Sequence, residues 1–240
     1  MRICISGRLS KNSLTFEFRK AFISYLKHAL MTQEESLYET YYKNVEGILK
    51  EFATAFIFGV EKVSGDVFEL KNNDLKVVIT TADMAIGIRL YNAVVNQLKK
   101  SYPIFDNTFT ATYLTFEKEP LILKDSIEIK FLSPLLVRDV LDHKKYLSIE
   151  DDRFSAVLLA NTKEQMLRLC KITPETSVYF EIEPIRAKRI VVKHYDQRID
   201  GLLGSYRLSG PPSILKYLYD AGMGSRKSAG FGVFKITKGA

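Results

Sequence analysis

Apolar and polar residues alternate over Arg2–Leu9, where Ile3, Ile5 and Gly7 oppose Arg2, Cys4 and Ser6, and that period of two marks a strand. Over Thr15–Met31 the spacing changes to three and four. Phe18, Phe22, Tyr25, Leu26 and Ala29 form one apolar stripe, as expected of a helix laid on a sheet. Glu51–Val60 and Val67–Leu70 read as a strand pair and Leu75–Thr80 as a further strand. A second amphipathic helix spans Ala82–Lys100, and Phe109–Phe116 closes the first half as a strand. The resulting order, β-α-β-β-α-β, folds naturally into a four-stranded antiparallel sheet with both helices on one face.

The second half repeats that order. Ile127, Ile129 and Phe131 alternate with Glu128 and Lys130 in a strand that ends at Ser133-Pro134. A helix lies within Ser155–Lys171, and Ser177–Ile182, Lys188–His194 and Gly204–Leu208 read as three strands. Pro211-Pro212 opens a short helix with Ile214, Leu215, Leu218 and Tyr219 on its apolar face, and Gly222 is placed to cap it. Phe231–Ile236 is the last strand. The pattern therefore predicts an α+β protein of two ferredoxin-like units, residues 1–122 and 123–240, joined near Glu119–Lys124.

Composition narrows the class. With 46% hydrophobic and 26% charged residues in 240, the chain is globular rather than disordered, and no apolar run approaches the roughly 20 residues of a membrane helix. Two cysteines, Cys4 and Cys170, lie far apart in apolar surroundings and read as buried, reduced thiols of a cytoplasmic protein. Carboxylate, His and Cys residues show no metal-ligand spacing, so neither metal nor cofactor is expected.

Charge adds direction. The net charge of +7 is unevenly spread: residues 1–122 hold 15 Lys/Arg against 14 Asp/Glu, and residues 184–240 hold 11 against 3. A one-signed segment interleaved with Tyr195, Tyr206 and Phe231 favours a polyanionic partner, a nucleic acid before a membrane surface. Within it Arg186, Lys188, Arg189, Lys193, His194 and Arg198 cluster in thirteen positions. On a regular strand Lys188 and His194 would share a face with Ile190 and Val192, leaving neither face cleanly basic unless the strand lies at an edge or carries a bulge.

The densest local signal is Ala221–Gly232, which reads Ala-Gly-Met-Gly-Ser-Arg-Lys-Ser-Ala-Gly-Phe-Gly. Gly222, Gly224, Gly230 and Gly232 would leave the backbone open to close approach by a bulky partner. Arg226 and Lys227 add two cations, and Ser225 and Ser228 two hydroxyls, so the loop has the makings of a phosphate cradle.

This loop, with Gly204–Gly210 and Tyr217–Asp220 before it, resembles the C-terminal signature of the CRISPR-associated repeat-processing endoribonucleases, the Cas6 family of the RAMP superfamily. Phe131–Arg138 resembles a second motif of that family, and Met1–Leu9, the aromatic helix Phe18–Leu30 and Tyr41-Tyr42-Lys43 resemble its start. The resemblance implies tandem ferredoxin-like (RRM-like) domains that cut CRISPR precursor RNA within each repeat without metal. The 2′-hydroxyl attacks the adjacent phosphate, leaving a 2′,3′-cyclic phosphate and a 5′-hydroxyl.

Residue by residue, the resemblance places Tyr42 or Lys43 where many members carry a histidine, and it matches Lys50 to the family lysine that would stabilise the phosphorane. His28, near the end of the first helix and at the edge of its apolar stripe, is the candidate proton shuttle, since an ordinary imidazole titrates near pH 6.5. Tyr41 or Tyr42 would hydrogen-bond the 2′-hydroxyl or orient the phosphate, and His143 sits in a charged loop. Arg138, the basic hairpin and the glycine loop would bind repeat RNA by its shape, phosphates and unpaired nucleotides. A CRISPR effector complex and a second copy of the chain are further partners in keeping with the resemblance. The missing histidine keeps open a non-catalytic RNA-binding subunit of the same superfamily.

Overall fold

The computed structural model describes residues 1–43, 48–142, 144–170, 172, 177–194 and 197–239, the side chain of residue 194 excepted. The first half contains β1 (Arg2–Leu9), β2 (Ser13–Thr15), α1 (Phe18–Gln33), α2 (Glu35–Tyr38), a π-turn (Glu39–Lys43), β3 (Phe52–Ile57), β4 (Val60–Ser64), β5 (Val67–Leu70), β6 (Asp74–Thr81), α3 (Met84–Val95), β7 (Ser101–Ile104) and β8 (Asn107–Phe116). The second half contains β9 (Ser126–Phe131), β10 (Val137–Arg138), β11 (Tyr146–Leu147), α4 (Phe154–Leu169), β12 (Glu181–His194), β13 (Gln197–Ser209), α5 (Pro212–Ala221), a 3₁₀ turn (Lys227–Ala229) and β14 (Phe234–Lys238).

Each half is an antiparallel sheet with ferredoxin-like order. In the first the strands run β3-β6-β1-β8, extended at one edge by β7, and in the second β12-β13-β9-β14. Alternation decides which face is buried. Ile3 and Ile5 of β1 join Phe22, Tyr25 and Leu26 of α1 and Leu90 of α3 in one core, while Ile127, Ile129 and Phe131 of β9 join Leu158, Leu215 and Phe234 in the other.

Two expectations about strands are corrected. Phe52–Ile57 does not pair with Val67–Leu70: β3 pairs with β6, while β5 pairs with β4, which starts at Val60, and with β2 in a separate three-stranded sheet. The break falls where the chain passes Gly59, and exposed β4 has no core to join. The three strands expected between Ser177 and Leu208 are two, because β12 and β13 form one long hairpin with a register shift between Pro184 and Arg186. Proline gives no ladder hydrogen bond, and it sits here in an edge strand, where that costs least.

The halves are held together by polar and apolar contacts. Arg2, almost fully buried, donates to the Tyr219 carbonyl oxygen at 2.8 Å, stacks its guanidinium 3.8 Å from the Tyr219 ring centroid and reaches Glu117 at 3.3 Å. Thr80 Oγ1 donates to the Asp220 carbonyl at 2.7 Å. Cys4, Ala53, Ala55 and Val78 of the first sheet pack on Val233 and Leu132 of the second half. Both thiols are free, but only Cys4 is buried; Cys170, just past α4, is exposed. No helix among the described residues is long and apolar enough to cross a membrane.

Candidate nucleic-acid interface

The glycine loop follows α5 and runs between the two halves. Several of its amides are already bonded within the protein. Met223 N–H donates to the Gly232 carbonyl, Ser225 N–H to Leu136 and Gly232 N–H to Pro134, each at 2.8 Å, and the Arg138 N–H donates to Ser225 Oγ at 3.2 Å. Gly222, Gly224, Gly230 and Gly232 all lie at positive φ and are buried. A Cβ at Gly232 would overlap the Met223 carbonyl, one at Gly224 the Leu136 carbonyl, one at Gly222 the Ala53 Cβ and one at Gly230 the Phe56 ring. The expectation that these glycines bare the backbone to a partner is therefore corrected. Their missing side chains are taken up by protein, and the loop is clamped onto Ser133–Arg138, which brings the two sequence motifs together.

That clamping sets the cations. Arg226 takes a φ of 55°, unfavourable for a residue with a Cβ, and its guanidinium donates to the Tyr146 hydroxyl. Lys227 is only 7% exposed. Burial lowers its pKa to about 8, and among the described residues no carboxylate lies within ion-pair distance. Across from the loop stands Lys50, half-buried, its ammonium 3.5 Å from the centroid of the Tyr42 ring. Burial first, and then the charge of Lys27, lowers the Lys50 pKa to about 8. Lys27 reaches the same Tyr42 ring at 4.9 Å, so one aromatic ring lies against two ammonium groups. Lys50, Arg138, Ser225, Arg226, Lys227 and Ser228 line a cleft of about 280 Å³ between the halves, a volume on the nucleotide scale.

Several site expectations are corrected by placement. His28 packs against the Tyr102 ring at 5.4 Å on β7, at the opposite edge of the sheet from β3, and so stands apart from Lys50. Tyr41 is buried and donates its hydroxyl to the Glu51 carboxylate, and desolvation with that carboxylate raises its pKa far above the usual value. Lys43 is exposed and paired with Glu39 at 2.7 Å. His143 and the side chain of His194 lie outside the described residues.

The basic hairpin is exposed and partly neutralised. Arg189 pairs with Asp200 at 3.0 Å and Lys193 with Asp66 of the β4–β5 turn. Arg186, Lys188 and Arg198 are exposed, with no ion pair among the described residues. The bulge sets Arg186 opposite Ser205, which pairs with Lys130, which pairs with Lys235. Three cations thus lie in one cross-strand row, with Lys130 and Lys235 directly opposed, an arrangement that costs stability unless an anion is present. By strand alternation this row shares a face with Leu132 and Val233, the residues that meet the first sheet.

Sequence reasoning missed Lys27, Lys130 and Lys235. For Lys130 and Lys235 a signal existed, since both alternate with core residues of their strands, but the register that makes them neighbours is non-local.

Fold and cleft together define a tandem ferredoxin-like protein with a lysine- and arginine-lined cleft between its halves. Residues 117–236, half of the chain, match the family described as CRISPR associated protein Cas6, C-terminal. The chain belongs to the Cas6 family. Among solved structures, a Cas6-related protein from Pyrococcus furiosus superposes with a TM-score of 0.86 at 21% identity, over 100% of this chain and 99% of that one. A RAMP protein described as binding different RNA substrates gives 0.83 at 20% identity, over 99% and 100%. A Cas6 product complex gives 0.67 at 13% identity, over 98% and 100%. No curated protein matches the chain at the sequence level.

Proposed function

We propose that the chain is a metal-independent endoribonuclease that cuts CRISPR precursor RNA within its repeats, with the scissile phosphate held in the cleft lined by Lys50, Arg226 and Lys227. One observation carries this reading. Two lysines with pKa values lowered to about 8, and no carboxylate among the described residues paired to either, face a single cleft between the halves. Buried cations of that kind are costly in a free protein and favourable once a phosphate enters.

In this reading a phosphodiester restores full charge to both ammonium groups. The 2′-hydroxyl attacks phosphorus in line; the P–O2′ bond forms as the P–O5′ bond breaks, giving a 2′,3′-cyclic phosphate and a 5′-hydroxyl. Lys50, a compact point charge fixed over Tyr42, bears on the phosphorane, and Arg226 offers a forked donor to its oxygens. The 2′-hydroxyl proton passes to solvent, and one of the charged ammonium groups can deliver a proton to the 5′-oxygen as its bond to phosphorus breaks. The row Arg186, Lys130 and Lys235, with Lys188 and Arg198 further along the hairpin, would carry flanking phosphates.

A second reading, a non-catalytic binding subunit, is favoured by the position of His28 away from the cleft. The two separate in one assay. Labelled repeat RNA incubated with the protein in EDTA should be cut at one position, and an RNA with 2′-deoxy at that position should stay whole. Binding without cutting from pH 6 to 9 would leave only the binding subunit.

A further inference from the structure

The chain leaving β10 places Arg138, Asp139 and Val140 on the wall of the cleft. Val140 lines the cleft beside Lys50 and Arg138 and is 46% exposed. Leu141 next to it is 83% exposed, the most exposed large apolar side chain among the described residues. An aliphatic pair in water at the edge of a cationic cleft needs a reason.

The backbone beside the pair is anchored. Asp139 is buried, pairs with Arg153 at 3.0 Å and accepts the Leu141 N–H at 2.9 Å. The Asp139 N–H donates to the Lys145 carbonyl at 3.0 Å, and Lys145 N–H to Asp142 at 2.9 Å, closing the turn. Arg153 is fixed in turn by Asp151 at 3.2 Å. The Leu141 N–H, and then Arg153, keep the Asp139 carboxyl below the usual range, so the anchor stays ionised at neutral pH. Buried Asp139 and its partly exposed partner Arg153 thus fix the backbone at Leu141, with the apolar side chains of Val140 and Leu141 left outward.

The geometry points to Val140 and Leu141 as a wedge that unstacks the nucleotide beside the phosphate in the cleft. This rests on the reading that RNA occupies that cleft. Chemistry supplies the need: attack by a 2′-oxygen requires the entering and leaving oxygens in line through phosphorus, and stacked helical RNA does not align them. Aliphatic side chains inserted at a base step open the stack without reading its sequence, as apolar wedges do in nucleic-acid-bending proteins. Placed here, such a wedge would help select the bond that is cut, while the lysines act on its charge.

The test uses uncleavable repeat RNA, 2′-deoxy at the cut position, with 2-aminopurine on one side of that position or the other. Binding to the wild-type protein should raise the fluorescence severalfold at one of the two sites. Val140→Ser with Leu141→Ser should remove at least half of that rise while Kd changes less than about threefold, and Leu141→Met alone should keep it. A rise that survives the double substitution, or no rise at either site, overturns the wedge. So does a purely protein-docking role, which would leave both signals untouched. Because nothing is cut in this experiment, a protein that unstacks the base yet never cleaves loses the nuclease reading and keeps the wedge. An RNA that does not bind sinks both.

Discussion

Two cationic regions invite comparison. The β12–β13 hairpin holds the denser basic sequence, yet its cations stand in water and two of them, Arg189 and Lys193, are already paired with Asp200 and Asp66. The cleft holds fewer, but Lys50 and Lys227 are desolvated, paired with no carboxylate among the described residues and lowered to about pKa 8. Charge density along a chain therefore differs from charge held in readiness. An exposed ion pair contributes about 1 kcal/mol or less, whereas an unpaired cation out of water costs several. The hairpin suits sequence-tolerant attraction of a polyanion, and the cleft suits one phosphate at one place.

The largest effect that would test this contrast is on chemistry. Lys50→Ala should slow single-turnover cleavage roughly 10²–10³-fold, the usual cost of removing a preorganised charge, while weakening the binding of uncleavable RNA only about tenfold. Equal loss of rate and affinity would make Lys50 a mere binding residue. Arg186→Ala with Lys188→Ala should leave the rate at saturating RNA unchanged, so the two substitutions cross.

Next in size is a gain of stability at the expense of binding. Lys227→Met keeps the length of the side chain and removes its buried charge. It should stabilise the fold by about 1–3 kcal/mol near pH 7 and weaken RNA binding about tenfold. The sign with pH follows from linkage. Below about pH 8 the ammonium is charged in folded and unfolded chains, and the burial cost is present in full. Between about 8 and the ordinary lysine value near 10.4, only the unfolded chain holds the proton, so raising pH favours the folded state. The advantage of Lys227→Met in chemical denaturation should therefore shrink across that window. A constant gap from pH 7 to 10 would mean that the lysine is not desolvated.

The smallest effect belongs to the hairpin. Arg186→Ala with Lys188→Ala should reduce the slope of log Kd against log salt by about one to two, since each phosphate contact contributes roughly 0.7 to 0.9. An unchanged slope would remove the hairpin from the RNA path.

Much of the fold could be read in the chain because its signals are local. The alternation of Arg2–Leu9, the apolar stripe of α1 and the order of elements in each half all survive in the structure. What escaped were long-range choices. The partner of β3 depends on β6, some twenty residues on, and the bulge at Pro184–Arg186 hid one long strand behind a broken alternation. The site divides in the same way. Lys50 was reachable through its resemblance to a family lysine, and Arg226 and Lys227 through the loop motif. Lys27 was not, since its value lies in sharing the Tyr42 ring with Lys50. The four glycines misled because a glycine marks a close approach without saying what approaches; here it is Leu136, Met223, Ala53 and Phe56.

The most direct measurement is the proton balance of RNA binding at pH 8.5, taken by calorimetry in buffers of differing ionisation heat with uncleavable repeat RNA. Two lysines that titrate near pH 8 are mostly neutral there, and a phosphate between them should draw in about one to one and a half protons per complex. The uptake should vanish in the Lys50→Met, Lys227→Met double variant. No uptake by the wild-type protein, or the same uptake by the variant, would contradict the account.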